Sequence, residues 1–349
     1  MPCVQIRAII STATVALGAV FLMLVIAAPF AVAIEIRALT TIVPTGFADV
    51  RTIQGNVEIE DAKGARFRVV IGKGSVLSLV PSTTARQPAD KRPDMLPDGV
   101  VSRGNRNIST TWLIRPTTRY AHGVLGDTVE AGGLSARLAN GTRHDLILDE
   151  SSVFEDRIGR LADLDGDGRD EILVVRSYLN RGAALAVVGA SANGLRLIAE
   201  APAIGRPNRW LNPVDVADFD DDGENEAAVV VTPHIGGTLK LYRLDGENLR
   251  EDHSQYGFSN HAMGSHELGM GTVIDANGDG VPDLLIPDET RRALRIVTFA
   301  GGLFRDLARL PHGSAIVTAL VTSDVDGNGA SDVVYGLADG TLVAVLFSP

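Results

Sequence analysis

Four stretches of the chain place side-chain oxygens at alternate positions: Asp163, Asp165, Asp167 and Glu171; Asp218, Asp220, Asp222 and Glu226; Asp275, Asn277, Asp279 and Asp283; and Asp324, Asp326, Asn328 and Asp332. Counted from the first Asp, the oxygens stand at positions 1, 3, 5 and 9, with Gly at position 6. A hard cation such as calcium takes about six to eight oxygen ligands at about 2.3–2.6 Å, so a short loop must turn several carboxylates and a carbonyl towards one point. Alternate residues do this. The backbone carbonyl at position 7, from Arg169, Glu224, Val281 or Ala330, is the further donor, and Gly168 and its counterparts permit the sharp turn. Asp, Asn and Gly are also ordinary turn residues. Four copies in register favour metal binding over that alternative, and up to four calcium ions are expected.

What each loop leads into separates one calcium fold from another. An EF-hand loop needs a bidentate Glu at position 12 and a helix on each side, whereas position 12 is occupied by Val174, Val229, Ile286 and Tyr335. Short β-branched runs follow the loops, at residues 172–175, 227–231, 284–286 and 333–335, and short apolar segments precede them. These are strands, so each loop joins two strands.

The loop starts lie 55, 57 and 49 residues apart, near the length of one four-stranded propeller blade. Two further β-runs follow within each period. A fifth unit without the metal pattern is expected ahead of these, with strands at residues 122–126, 134–138, 144–148 and 152–155. The last unit has three strands, and residues 108–114 are placed to supply the missing outer one, which would remove an exposed edge. The fold class expected is therefore all-β: a five-bladed β-propeller over residues 99–349, with calcium loops between strands 1 and 2 of four blades. A small β-rich region and a Pro-rich linker, residues 34–98, precede it; six blades is the alternative if residues 50–82 make a further blade.

The pattern Asp-x-Asp-x-Asp-Gly-x-x-Asp/Glu followed by a strand resembles the FG-GAP or VCBS repeats of integrin α-subunit propellers and of many exported bacterial proteins. The resemblance covers roughly residues 120–349. It implies a β-propeller with calcium in the loops between strands 1 and 2 of each blade, held by Asp163, Asp165, Asp167, Arg169 and Glu171 and their counterparts. No Phe-Gly and Gly-Ala-Pro pair flanks the loops, which makes the bacterial VCBS type the nearer likeness.

A net charge of −11 argues against a nucleic-acid partner, which requires a basic face. The four loops hold 17 of the 43 acidic residues, so the acidity is largely ligand supply. Residues 1–33 read as an export signal: Arg7 provides the positive start, residues 8–32 carry no charge, and Ala31-Val32-Ala33 fits a cleavage site. An uncleaved amino-terminal anchor is the competing reading. The expected location is periplasmic or secreted, or membrane-anchored outside the cytoplasm, with membrane contact only through that segment. Cys3 is the one cysteine, so no disulfide is expected.

If the acidic loops share one face, the opposite face is where a ligand is expected, because loops on a rigid scaffold commonly carry function. Its connections carry Arg209, Trp210, Asn260, His261, His266 and Glu267. The function expected is that of an exported, non-catalytic calcium-binding module for a protein or glycan. The alternative is a hydrolase or lyase with a funnel site at His261, His266, Glu267 and Arg209. The chain has no nucleophile elbow and no phosphate-cradling Gly-rich loop.

Overall fold

The computed structural model describes residue 34 and residues 36–72, 75–85 and 88–348. The chain divides into Met1–Val32 and Ala33–Pro349. The expected signal or anchor at residues 1–33 lies outside the described residues.

Short runs of apolar and β-branched residues, punctuated by Gly-bearing turns, form strands throughout; among the described residues there is no α-helix, only a 3-10 turn at Ala300–Gly302. In chain order the strands are β1 (Ile36–Ile42), β2 (Phe47–Ile53), β3 (Asn56–Asp61), β4 (Arg66–Gly72), β5 (Val76–Pro81), β6 (Ser102–Arg103), β7 (Ile108–Thr117), β8 (Glu130–Leu138), β9 (Arg143–Ile147) and β10 (Ser152–Phe154). They continue as β11 (Arg160–Ala162), β12 (Glu171–Tyr178), β13 (Gly182–Ser191), β14 (Gly194–Glu200), β15 (Leu211–Ala217), β16 (Glu226–Val231), β17 (Thr238–Asp245) and β18 (Asn248–Tyr256). The last are β19 (Thr272–Ile274), β20 (Asp283–Pro287), β21 (Ala293–Thr298), β22 (Arg305–Pro311), β23 (Val321–Ser323), β24 (Asp332–Gly336) and β25 (Thr341–Phe347).

One antiparallel order recurs six times among the described residues. The sheets β2-β3-β4-β5, β19-β20-β21-β22 and β23-β24-β25-β1 stand separately. The runs β6-β7-β8-β9, β11-β12-β13-β14 and β15-β16-β17-β18 lie within a 13-stranded sheet. They are linked there by β10, which pairs with β8 and β12, and by a parallel pairing of Glu200 with Asn248. Among the described residues no sheet closes on itself.

Burial falls from the inner strands to the outer ones. β16, β20 and β24 are almost wholly buried and read as continuous apolar runs, whereas β18 and β22 alternate towards solvent. The cause is face-to-face packing of successive units, which covers both faces of the middle strands. Val175 and Val187 pack with Trp210 and Val229; Val230 and Leu241 with Leu284 and Val297. Leu285 and Ile296 pack with Tyr335 and Val345, and Val334 and Leu342 with Val50 and Ile59.

Three expectations change. The strand that completes the last unit is β1, whose register runs from Ile36 opposite Phe347 to Ile42 opposite Thr341. Residues 108–114 lie in β7 and are held between β6 and β8. The unit without acidic loop therefore begins at β6, and residues 122–126 form no strand. Residues 47–81 form a complete four-stranded sheet, the condition under which six units were allowed. Within the Pro-rich stretch Leu96 is buried and its N–H donates to Leu113 O at 2.9 Å.

Candidate functional site

Each acidic loop starts where the first strand of a unit ends and closes on the first residue of the second: Ala162 to Glu171, Ala217 to Glu226, Ile274 to Asp283, and Ser323 to Asp332. All four share one hydrogen-bond skeleton. The position-2 N–H donates to the position-9 carboxylate: Leu164 to Glu171 at 3.0 Å, Phe219 to Glu226 at 3.0 Å, Ala276 to Asp283 at 2.9 Å, and Val325 to Asp332 at 2.9 Å. The position-6 glycines, with φ of 85° to 94° at Gly168, Gly223, Gly280 and Gly329, donate to the position-1 carboxylate at 2.9–3.0 Å. A Cβ there would be strained, which is why glycine recurs. The N–H groups of Arg169, Glu224, Val281 and Ala330 donate to the position-5 side chains of Asp167, Asp222, Asp279 and Asn328 at 2.7–3.0 Å.

With one face of each carboxylate anchored, the other faces turn inward. Ligand oxygens of Asp163, Asp165 and Glu171 lie within 4.8 Å of one another, as do those of Asp218, Asp220 and Glu226 and those of Asp324, Asp326 and Asp332. Asp163 Oδ1, Asp220 Oδ1, Glu226 Oε1 and Asp283 Oδ1 are buried with no hydrogen-bond partner. Burial, reinforced by the neighbouring loop carboxylates and opposed by the backbone N–H, pushes Glu171 and Glu226 up to about 7 and Asp283 up to about 6. Asp332 is raised for the same first reason. Crowded, dehydrated carboxylates with unmet oxygens fit a hard divalent cation, which would satisfy both deficits.

These shifts set a pH dependence for the metal-free chain. A carboxyl raised in the folded state binds more protons there than when unfolded, so stability falls as pH rises through the interval between the two values. For Glu171 and Glu226 that interval is 4.5 to about 7; Glu130, buried beside Glu155 and other carboxylates, extends it to about 9. Below pH 6.5 the half-buried His234 and the buried His261, held at about 4 and about 3, act in the opposite sense. In chelator the melting temperature is therefore expected to drop by several degrees between pH 6.5 and 8.5, with Glu130→Gln removing the part above pH 7. A melt that rises over this range would contradict the burial of these carboxyls.

Arginine stands in the second unit where the later units carry an acidic loop. Residues 104–107 join β6 to β7, and Arg106 Nη1 reaches Asp163 Oδ2 at 2.9 Å and Asp170 Oδ1 at 3.3 Å. In the second acidic loop Arg243 Nη1 bonds Asp222 Oδ2 at 2.6 Å and Glu224 Oε2 at 2.8 Å.

The strands β12, β16 and β20 run away from their loops, so the turns and connections at their other ends form a far end of the units. There the structure separates the six candidate ligand residues. Trp210, Asn260 and His261 are interior, at 2%, 1% and 0% exposure. Trp210 Nε1–H donates to Glu155 O at 2.9 Å, and its ring stacks on His234 and tilts against His261. Asn260 and Asn212 exchange side-chain to backbone bonds at 3.0 and 3.2 Å. His261 uses both ring nitrogens, Nε2 with Ser265 O at 2.9 Å and Nδ1 with His234 Nε2 at 2.8 Å. Glu267 is spent on Gly269 N–H at 2.7 Å, and Arg209 on Asn208 O at 3.0 Å. His266 is exposed. Among the described residues no hydrogen bond or ring contact joins His261, His266, Glu267 and Arg209 to one another.

Other residues do come together. His122 Nδ1 pairs with Glu155 Oε1 at 2.6 Å, and Ser177 Oγ–H donates to Glu155 Oε2. Arg291 Nη1 donates to His261 O at 3.1 Å. No spacing rule links residues so far apart in sequence; the one available signal is that His122, Glu155, His261 and Arg291 fall in turns or connections at the far end.

No family model matches the chain, and no curated protein matches it in sequence. Among solved structures, the crystal structure of BBS1N in complex with ARL6DN, soaked with mercury, is similar over 88% of this chain and 93% of that one, at 12% identity and a TM-score of 0.43. Rhamnogalacturonan lyase YesW is similar over 87% of this chain and 60% of that one, at 12% identity and a TM-score of 0.39.

Proposed function

We propose that the six four-stranded units are the blades of a β-propeller of the FG-GAP or VCBS kind, that calcium occupies its four acidic loops, and that the exported protein is a non-catalytic binding module working through the far end. The observation that carries this reading is the fourfold hydrogen-bond skeleton, which in the first three loops leaves buried carboxylate oxygens without partners. A turn that served only to reverse the chain would have no reason to bury them, because an unmet buried acceptor costs about 1–3 kcal/mol. Calcium suits the loops because they offer carboxylates, amide oxygens and carbonyls and no sulfur or imidazole ligand within the motif. The closing β1–β25 pairing supports the propeller by removing the edge that the last unit would otherwise expose.

Calorimetric titration of the chelator-treated chain with calcium chloride is expected to show up to four bound ions, and Asp220→Ala to remove one of them. Native stoichiometry in Asp220→Ala, or no calcium binding at all, would end this reading.

A further inference from the structure

The acidic loops divide into two kinds. At positions 1, 3, 5 and 9 the first and second loops carry four carboxylates each, whereas the third and fourth carry three and an amide, Asn277 or Asn328. Asp170 adds to the charge of the first loop, and Asp221 and Glu224 to that of the second. The arginines follow the same division: Arg106 bridges Asp163 and Asp170, and Arg243 bridges Asp222 and Glu224. Among the described residues no arginine or lysine forms an ion pair with a carboxylate of the third or fourth loop. There the amide donates instead, Asn277 Nδ2–H to Asp279 Oδ2 at 2.9 Å and Asn328 Nδ2–H to Asp326 Oδ2 at 3.4 Å.

Both arginines are held in place. The connection that carries Arg106 belongs to the preceding unit and is docked on the first loop by Asn107, whose Oδ1 accepts from Asp170 N–H at 2.6 Å and whose Nδ2–H donates to Asp170 O at 3.1 Å. Arg243, on β17, is fixed by its Nε–H on Asp252 Oδ2 at 2.5 Å. Arg169, within the first loop, spends its Nη2–H on Ala190 O. The guanidinium of Arg106 sits on the outer oxygen of Asp163, Oδ2, which also accepts from Gly168 N–H, while Oδ1 stays buried and without a partner. Arg243 takes Asp222 Oδ2, and the unpartnered oxygens of the second loop are on Asp220 and Glu226. Neither arginine fills the place of an ion; each stands beside it.

We propose, on the reading of the loops as calcium sites, that Arg106 and Arg243 are built-in counter-ions that set the affinity of the two most acidic loops. Without metal they offset the additional carboxylate charge. With metal their fixed positive charge opposes the ion, so these two loops bind calcium more weakly than their ligands alone would. A unit charge and a double charge a few ångströms apart repel, even in water, by an amount that corresponds to about a tenfold change in affinity. Arginine suits the role because it keeps its charge at any physiological pH.

The test is calorimetric titration of the full, chelator-treated chain with calcium chloride at fixed ionic strength. Arg106→Gln is expected to tighten one ion about tenfold, and Asp165→Ala in the same chain to remove that ion. Arg243→Gln is expected to tighten a different ion. Arg106→Lys keeps the charge and is expected to stay near the native affinity. Arg206 is exposed at the far end, so Arg206→Gln controls for the change in net charge and is expected to alter nothing. By linkage, Arg106→Gln is expected to lower the melting temperature further in chelator than in saturating calcium. Should Arg243→Gln not fold, the first loop decides. Native affinity in Arg106→Gln, or equal tightening in Arg106→Lys or Arg206→Gln, would overturn the counter-ion role while leaving the calcium sites standing, whereas a native chain that binds no calcium would remove both.

Discussion

Removing calcium is expected to lower the melting temperature of the chain by about 10–20 °C. A site with a Kd of about 0.1 mM in about 1 mM free calcium contributes about 1.4 kcal/mol through preferential binding to the folded state. Four such sites contribute about 6 kcal/mol, comparable with the whole stability of an ordinary domain of about 5–15 kcal/mol. At about 2–4 °C per kcal/mol for a domain of this size, the shift follows. The structure supplies the reason for expecting more than a surface effect: Glu171, Glu226, Asp283 and Asp332 are buried at 6% exposure or less, so without a cation their charges are dehydrated and opposed mainly by one or two backbone N–H groups each. Asp165→Ala and Asp220→Ala are each expected to reproduce part of the loss. Thermal melts in excess chelator and in calcium decide the matter, and identical curves would sink the proposal.

Deleting residues 34–42 is expected to be at least as damaging. This removes β1, whose seven residues pair with β25, and with it a ladder worth about 5 kcal/mol at about 1 kcal/mol per net hydrogen bond. It also uncovers the flank of a strand reading Thr-Leu-Val-Ala-Val-Leu-Phe, an apolar edge with unpaired backbone groups that templates association. The shortened chain is expected to melt more than about 10 °C lower at equal calcium and to elute as oligomers in size-exclusion chromatography. A monomer with the native melt would show that β1 does not close the last unit.

The two predictions draw on different kinds of information. The acidic loops are legible because everything that defines them is local: alternate oxygens, Gly at position 6, and a β-branched run after position 9. Turn geometry is local chemistry, so the place of residues such as Asp163 and Asp220 in their turns can be read before any packing is known. The same holds for the strands that follow, whose continuous apolar character reports burial on both faces. The β-rich stretch at residues 56–80 was also visible, although not that it completes a unit equal to the others.

What the sequence could not decide is which distant segments meet. Residues 108–114 read as the completing strand, and only the tertiary structure selects β1, because the partner of an edge strand is fixed by the packing of sheets nearly the whole chain apart. The far end follows the same rule. Trp210 and His261 looked like exposed interaction residues by type, yet neighbouring units bury them. The residues that do meet there are His122, His234 and Arg291, whose partners Glu155 and His261 lie 27 to 33 residues away. By itself the sequence determined the chemistry of the acidic loops and the strand character of the elements they join. The closure of the last unit and the identity of the residues at the far end were decided by tertiary structure, since both depend on long-range contacts that no local spacing encodes.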